Sequence, residues 1–174
     1  DGHRSGAEFD VRTATLGTSH QVGRSTIDLS SGLSRKEFGA YAFYSAKYPD
    51  EWEATDTYYV SARSESPVGV TLLSTSLSWR RHDDDFILNR LDPGFYRNLH
   101  TTDALAARFQ LDVPWTIGWI SLGGEIGDDA IESASLGNHQ RRRVGVFAEQ
   151  NVRLGSRMES SFGASVFHHT YFGW

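Results

Sequence analysis

Apolar and polar residues alternate along almost the whole chain, and helical periodicity is nearly absent. The clearest run covers residues 105–113, where odd-numbered positions are apolar and even-numbered positions are mostly polar. This pattern is typical of a strand with one oily and one polar face. It predicts eight strands, over residues 7–18, 25–36, 57–63, 73–80, 105–113, 115–126, 144–152 and 158–166.

The alternation changes phase within residues 115–126. Odd-numbered positions are apolar in residues 115–119, and even-numbered positions are apolar in residues 120–126. An extra residue inserted in one strand shifts the phase of every side chain after it. The sequence therefore predicts a β-bulge in this segment.

Short and long connections follow one another in strict alternation. Short turns are predicted at residues 21–23, 65–69, 112–115 and 154–157, and long loops at 37–55, 81–100 and 127–142. Barrels of the outer membrane have short periplasmic turns and long extracellular loops. We therefore predict an all-β, antiparallel transmembrane β-barrel with about eight strands. Since both ends of the chain would lie at the extracellular rim, a segment of a larger barrel is favoured.

Composition removes several other classes of protein. No stretch approaches the ~18 consecutive apolar residues of a membrane-spanning helix, and the mean hydropathy of −0.44 does not argue against strands that hide apolar residues at alternate positions. The net charge of −5 offers no basic field for nucleic acid. With no cysteine, disulfides and thiolate chemistry are excluded.

Aromatic side chains are frequent, at 13% of residues. Amphipathic rings favour the level of the lipid headgroups, so the barrel hypothesis predicts interface anchors. The alternative is an aromatic core inside a soluble β-sandwich. The candidate anchors are Tyr58, Trp79, Trp115, Trp119 and the cluster Tyr41, Phe43 and Tyr44.

The polar faces of the fourth and fifth strands place Arg80, His82, His100 and Thr102 together near the outer mouth. They could grip a ligand or simply pair with one another. The run at residues 82–85 could offer oxygens to Ca²⁺, or it could be a solvated loop.

Three arginines follow one another at residues 141–143. They could contact anionic lipopolysaccharide or a ligand carboxylate, or form a solvated rim. No spacing matches a zinc site or an EF-hand, and no nucleophile elbow, metalloprotease helix or nucleotide loop is present. We predict no metal site, no cofactor and no enzymatic activity.

Three segments of the chain read FGAYAFYSAKYPDEWEATDTYYVSA, SLSWRRHDDDFILNRLDPGFYRNLHTTDALAARFQ and LGNHQRRRVGVFAEQNVRL. They resemble the barrel of TonB-dependent outer-membrane receptors of the cobalamin and siderophore transporter type. The resemblance implies a 22-stranded barrel around a plug, which takes up a scarce chelate with energy relayed by the TonB complex. It also implies candidate ligand-binding residues in the matching loop, namely Arg80, His82, Asp84, Tyr96, Asn98 and His100.

The sequence thus predicts that residues 1–174 form a β-barrel segment without a plug domain in the bacterial outer membrane. The expected partners are outer-membrane lipid and lipopolysaccharide, a small chelate, the TonB complex and further barrel strands or subunits, but no nucleic acid. Two alternatives stay open: a self-contained eight-stranded structural or adhesion protein, and a secreted carbohydrate-binding β-sandwich. Closure of the sheet on itself would favour the small barrel.

Overall fold

The computed structural model describes residues 6–41 and 47–170, which form one antiparallel sheet without a helix. None of these residues lies in a helix long and apolar enough to cross a membrane. Each strand pairs with the next one in the chain. The strands are β1 (Phe9–Val22), β2 (Ser25–Gly39), β3 (Trp52–Val68), β4 (Thr71–Ile87), β5 (Arg97–Trp115), β6 (Gly118–Ser133), β7 (Gly137–Leu154) and β8 (Met158–His169).

The connections lie alternately at two ends of the sheet. Turns 23–24, 69–70, 116–117 and 155–157 lie at one end, which we name the short-turn rim. Gly23 and Gly69 open two of these turns with φ of 63° and 64°, a conformation that favours glycine. At the other end, the long-loop rim, β2 ends and β3 begins, and connections 88–96 and 134–136 join the other strand pairs. The predicted alternation of the two rims is confirmed.

The strands are longer than the sequence indicates. β5 contains 19 residues, about twice the 9–11 that cross a bilayer at a tilt. The predicted loop at 127–142 is mostly strand, with only residues 134–136 between β6 and β7. The apolar pattern ends where the outer face becomes charged, but the backbone pairing continues, so hydrophobicity alone places the strand ends too early.

The predicted β-bulge is absent from β5 and β6. The two strands pair one to one from His100 and Ser133 down to Trp115 and Gly118. The phase changes because the two-residue turn 116–117 brings positions 115 and 118 onto the same face. Trp119 therefore lies on the polar face, beside Pro114 and Asn151, and its prediction as a lipid-facing anchor is wrong.

Within residues 6–41 and 47–170, no second layer packs against the apolar face. Leu105 is 47% and Phe109 is 55% exposed, and the only buried apolar side chains among the described residues are Ala40 and Ile87. A soluble β-sandwich would bury this face in an interior, so the sandwich alternative is contradicted. The face includes Leu16, Leu33, Tyr58, Val60, Leu77, Trp79, Ala107, Ile126, Val144, Val146 and Val166.

Ion pairs border this apolar band on the side of the long-loop rim. Trp79 donates its indole N–H to Asp103 (3.2 Å), which also binds Arg81 (2.7 Å). Further along the same face, Arg97 binds Asp85 at 2.6 Å. An apolar band that ends at an aromatic ring and charged side chains matches the lipid boundary of a barrel. Of the other predicted anchors, Tyr58 and Trp115 lie on the apolar face and Tyr41 lies exposed in a connection, whereas Phe43 and Tyr44 fall outside the described residues.

The sheet is open. Among the described residues β1 pairs only with β2, and β8 pairs only with β7. Backbone groups in hydrocarbon must be paired within protein, so two free edges are incompatible with a finished wall in lipid. The fold is a segment of a barrel wall, and it is not a closed eight-stranded barrel.

Candidate functional site

The polar face of β4 and β5 near the long-loop rim gathers most of the predicted ligand-binding residues. The register places Asp84 opposite His100, His82 opposite Thr102, and Phe86 opposite Asn98. Residues directly opposite one another on antiparallel strands point to the same face. His82, Asp84, Asn98 and His100 thus form one patch, which we name the rim patch.

Two hydrogen bonds order the imidazoles of the rim patch. His82 Nδ1 lies 2.8 Å from Thr57 Oγ1 on β3. Asn98 Nδ2 lies 2.6 Å from His100 Nε2, and when Nε2 accepts this bond the proton of His100 resides on Nδ1. Both rings are therefore held on the wall by neighbouring side chains.

Three buried atoms of the rim patch have no hydrogen-bond partner among the described residues: Asp84 Oδ1, Asn98 Oδ1 and His100 Nδ1. A buried polar atom left without a partner costs about 1–3 kcal/mol, and native proteins keep few of them. The patch thus holds two acceptors and one donor with unused capacity. It can bind a polar molecule that supplies the missing partners.

Asp84 lies three residues beyond Arg81 in β4, on the rim side of the ion pairs that end the apolar band, and so outside the segment that faces hydrocarbon. Burial raises the pKa of this carboxyl above its ordinary value, while the nearby imidazoles of His100 and His82 act in the opposite direction. The carboxylate is therefore held in surroundings that disfavour its charge.

The two other predicted residues lie beside the patch. Arg80 is one row closer to the middle of the wall, between Tyr59 and Ala104, and makes no hydrogen bond or ion pair with any described residue. Tyr96 is exposed in connection 88–96 and packs edge-on against Phe86, with ring centroids 6.4 Å apart. Arg80 thus offers a free cation and Tyr96 an aromatic face at the edge of the patch.

Three further residues, Thr55, Thr57 and Phe86, lie at the rim patch without having been predicted from the sequence. Thr55 is 8% exposed and lies opposite Asp84 on β3, and Thr57 lies opposite His82. The alternation of β3 places Thr57 on the polar face, but only the register between strands shows which residue it meets.

The acidic run at residues 82–85 is divided between the two faces of β4. Asp83 accepts a hydrogen bond from Thr101 (2.7 Å) and Asp85 binds Arg97 (2.6 Å), both on the outer face, whereas Asp84 faces the other way. Carboxylates on opposite faces of one strand cannot converge on a Ca²⁺ ion. In the described parts of the chain, no three His, Asp or Glu side chains are placed to hold a metal.

The three consecutive arginines are separated in the same way. Arg142 lies on the outer face and binds Asp128 (2.9 Å), whereas Arg141 and Arg143 lie on the polar face and both bind Asp129 (2.7 and 3.2 Å). They do not form one basic patch, because alternate side chains of a strand point apart.

Comparison with known proteins gives a result at the level of fold. No protein-family model and no curated protein matches the sequence. Three solved siderophore receptors align with nearly the whole chain. A mutant of the ferric enterobactin receptor PfeA of Pseudomonas aeruginosa is 15% identical with a TM-score of 0.73, and the alignment covers 99% of this chain and 31% of that one. The receptor PirA of the same species is 14% identical with a TM-score of 0.68 and coverages of 94% and 28%, and the ferric-catecholate import receptor Fiu of Escherichia coli is 11% identical with a TM-score of 0.69 and coverages of 95% and 38%.

A further similar structure is OmpT, an outer-membrane protein of Vibrio cholerae, with 11% identity, a TM-score of 0.54 and coverage of 91% of this chain and 46% of that one. The chain spans about a third of the length of the three receptors, whose covered shares are 28–38%. With identities this low, the likeness concerns the fold. The chain has the fold of part of a bacterial outer-membrane β-barrel wall.

Proposed function

We propose that residues 1–174 are a barrel-wall segment of a TonB-dependent receptor that imports an iron chelate of the siderophore type across the bacterial outer membrane. The observation that carries this proposal is the alignment of 94–99% of the chain with solved siderophore receptors. The oily outer face, the polar inner face and the two open edges support it. On this proposal the edges continue into further barrel strands.

The rim patch, with Arg80 and Tyr96, is the proposed ligand contact. It combines a free guanidinium, two imidazoles, unpaired acceptors and an aromatic ring on one wall. Anionic, oxygen-rich chelates are recognised by such charge-assisted hydrogen bonds and by stacking on aromatic rings. Uptake by binding and release requires no bond-making chemistry, so we propose a receptor and not an enzyme.

The partners follow from the placement of charge. The ion-paired belt above the apolar band, including Arg81, Arg97 and Arg142, would face lipid headgroups and lipopolysaccharide. The TonB complex would supply the energy for release of the ligand.

Uptake by the intact protein tests the proposal. Purified full-length protein is titrated with ferric enterobactin and, separately, with cobalamin, and binding is followed by quenching of tryptophan fluorescence. Iron-limited growth is compared between cells with and without the protein. We expect saturable quenching by the ferric chelate and slower growth of the deleted strain. Normal growth of the deleted strain, together with no binding of the ferric chelate, would refute the proposal of an iron receptor. Binding of cobalamin alone would identify cobalamin, and not an iron chelate, as the ligand.

His100→Ala separates ligand contact from fold. The loss of one hydrogen bond to a charged ligand costs about 1.5–3 kcal/mol, so we expect the affinity for ferric enterobactin to fall about tenfold or more. Asn138→Ala is the control, because Asn138 lies exposed near the same rim but on the outer face of β7, opposite Glu132. Equal effects of the two substitutions would remove the rim patch from the binding site.

A further inference from the structure

A recess on the apolar outer face ends at charged side chains. It is a cavity of about 420 Å³ across β4–β7, and its apolar lining includes Leu77, Leu105, Ala107, Ile126 and Val144. The recess forms because the small Ala107 lies directly between the larger Leu77 on β4 and Ile126 on β6. We name it the outer recess.

The charged end of the outer recess lies at the edge of the apolar band. One transverse row crosses four strands here and consists of Trp79, Leu105, Asp128 and Arg142. The indole of Trp79 marks the level of the lipid headgroups, where amphipathic rings favour the interface. Val144, two residues further along β7, lies about 7 Å closer to the middle of the band. Arg142 is therefore at the level of lipid phosphates, directly above the apolar part of the recess.

Arg142 keeps unused hydrogen-bond donors. Its Nε donates to Asp128 (2.9 Å), and neither Nη1 nor Nη2 binds a described residue. By contrast, Arg81 and Arg97 each bind a carboxylate through two nitrogens. The Arg142 side chain is 71% exposed, whereas Asp128, which also accepts two hydrogen bonds from Gln140, is only 32% exposed. The group presented at the end of the recess is thus mainly the guanidinium.

An apolar recess that faces hydrocarbon selects no lipid by itself, because acyl chains are as apolar as the side chains that line it. Selection needs a polar contact at a fixed place beside the recess, and Arg142 supplies one. The planar guanidinium matches the oxygens of a phosphate group in a bidentate contact. The arrangement therefore suits a molecule that joins a phosphate to acyl chains.

We propose that Arg142 and the outer recess bind lipid A, the phosphorylated and acylated part of lipopolysaccharide, with one phosphate on the Nη groups and one acyl chain over Ala107. Asp128 is a positioning residue, because it holds the guanidinium through Nε and leaves both Nη groups free. This inference names the site of the lipopolysaccharide contact, and it rests on the proposed function for the outward orientation of the long-loop rim.

A second recess on the same face provides a comparison. It measures about 430 Å³, extends over β1–β4 and includes Ala14, Leu16 and Val60. None of the described residues that line it is charged. It offers room for an acyl chain without a contact for phosphate, so it should not distinguish lipid A from other lipids.

Native mass spectrometry of the purified full-length protein in detergent tests the site. The protein is mixed with lipid A, with lipid A whose phosphates have been removed, or with phosphatidylglycerol. We expect lipid A to bind about tenfold more tightly than its dephosphorylated form, since a charge-assisted contact is lost. It should also bind more tightly than phosphatidylglycerol, whose phosphodiester carries less charge.

Two substitutions separate the phosphate contact from the chain contact. Arg142→Gln should remove the preference for lipid A. Ala107→Phe should weaken its binding about threefold or more, because the ring fills the recess and displaces the chain. Arg12→Gln and Ala14→Phe are matched changes at outer-face positions of β1 and should bind lipid A as the parent does. Heat-dependent gel mobility shows that each variant is folded.

Three results would overturn the site. They are equal binding of lipid A and either comparison lipid, equal losses in the β1 variants, and a dimer in the mass spectrum that Ala107→Phe abolishes. The last result would mean that a second copy of the protein covers the recess. Because the assay contains no iron chelate, its failure leaves the binding of ferric enterobactin untouched, and the two proposals fail separately.

Discussion

Phe109 and Gln110 are neighbours in the chain, yet they lie on opposite faces of β5. Phe109 is 55% exposed on the apolar face, whereas Gln110 hydrogen-bonds to Asp112 (2.8 Å) on the polar face. At the scale of single residues, the solvent that each side chain meets is therefore set by its position in the alternation. The change in stability caused by a charged substitution at each position therefore shows whether that position faces lipid or water.

We expect Phe109→Arg to destabilise the intact protein by about 2–4 kcal/mol, the cost of an arginine on the lipid face near the bilayer midplane. Gln110→Arg should be nearly neutral, since Asp112 can accept a hydrogen bond from the new guanidinium. Denaturant unfolding in lipid vesicles measures both. Equal costs would contradict the assignment of the two faces.

The raised pKa of Asp84 leads to a pH dependence. The folded state binds a proton on the Asp84 carboxyl more tightly than the unfolded chain does. The protonated carboxyl therefore contributes to the stability of the fold at low pH, and this contribution is lost as the pH rises above about 4. Asp84→Asn removes the buried charge, and the variant should unfold at a higher temperature than the parent at pH 7, with the difference shrinking toward pH 4. Heat-dependent gel mobility of the intact protein measures this.

Glu8 provides a control, because its pKa is shifted in the opposite direction to that of Asp84. A hydrogen bond from Arg90 lowers the pKa of this carboxyl, so its contribution is present at neutral pH and is lost as the pH falls through the lowered value. Glu8→Gln should therefore be slightly less stable than the parent at pH 7 and equal to it at low pH. An Asp84→Asn variant that behaved like Glu8→Gln would show that Asp84 is stabilised as a carboxylate.

At the scale of elements, three adjacent strands build the rim patch. Thr57 of β3 holds His82 of β4, which lies opposite Thr102 of β5. The same transverse row continues through Ser34 of β2 to Thr13 of β1, where Thr13 and Ser34 hydrogen-bond at 3.1 Å. One row thus contains a threonine at the patch and another outside it.

We expect Thr57→Val to weaken binding of ferric enterobactin about fivefold, because it removes a hydrogen bond worth about 1 kcal/mol and frees the His82 ring while keeping the shape of the side chain. Thr13→Val makes the same chemical change two strands away and should leave the affinity unchanged. Fluorescence titration of the intact variants compares them. A similar loss in both would indicate a general effect on the wall.

At the scale of the whole molecule, the two rims lie on opposite sides of the apolar band. Gly94 lies in connection 88–96 of the long-loop rim, and Ser156 in turn 155–157 of the short-turn rim; both are exposed. Short turns of outer-membrane barrels face the periplasm. The proposed function therefore requires the long-loop rim, with the rim patch, to face outward, where a chelate arrives.

Cysteine labelling tests this orientation, and the chain has no cysteine to interfere. A membrane-impermeant maleimide applied to intact cells should label Gly94→Cys and leave Ser156→Cys unlabelled. After the outer membrane is permeabilised, both should react. Labelling of Ser156→Cys alone in intact cells would invert the orientation and place the rim patch in the periplasm.

Much of the fold was predictable from the sequence because side-chain direction in a strand follows a period of two. That rule indicated eight strands, the oily and polar faces, and the positions of His82 and His100 on one face, whereas the alternation of short and long connections indicated the two rims. It placed the strand ends too early, because beyond the lipid the outer face is charged while the backbone pairing continues. It also misread the turn at 116–117 as a bulge, and so turned Trp119 outward.

The sequence by itself determined which side chains share a face, since that depends only on the local geometry of the strand. The tertiary structure alone decided which residues meet across strands, such as His82 with Thr57 and Asp84 with His100. It also decided that β1 and β8 remain apart. The reason is physical, because register and closure are set by hydrogen bonds between segments distant in the chain, and alternation within one strand carries no information about its partner.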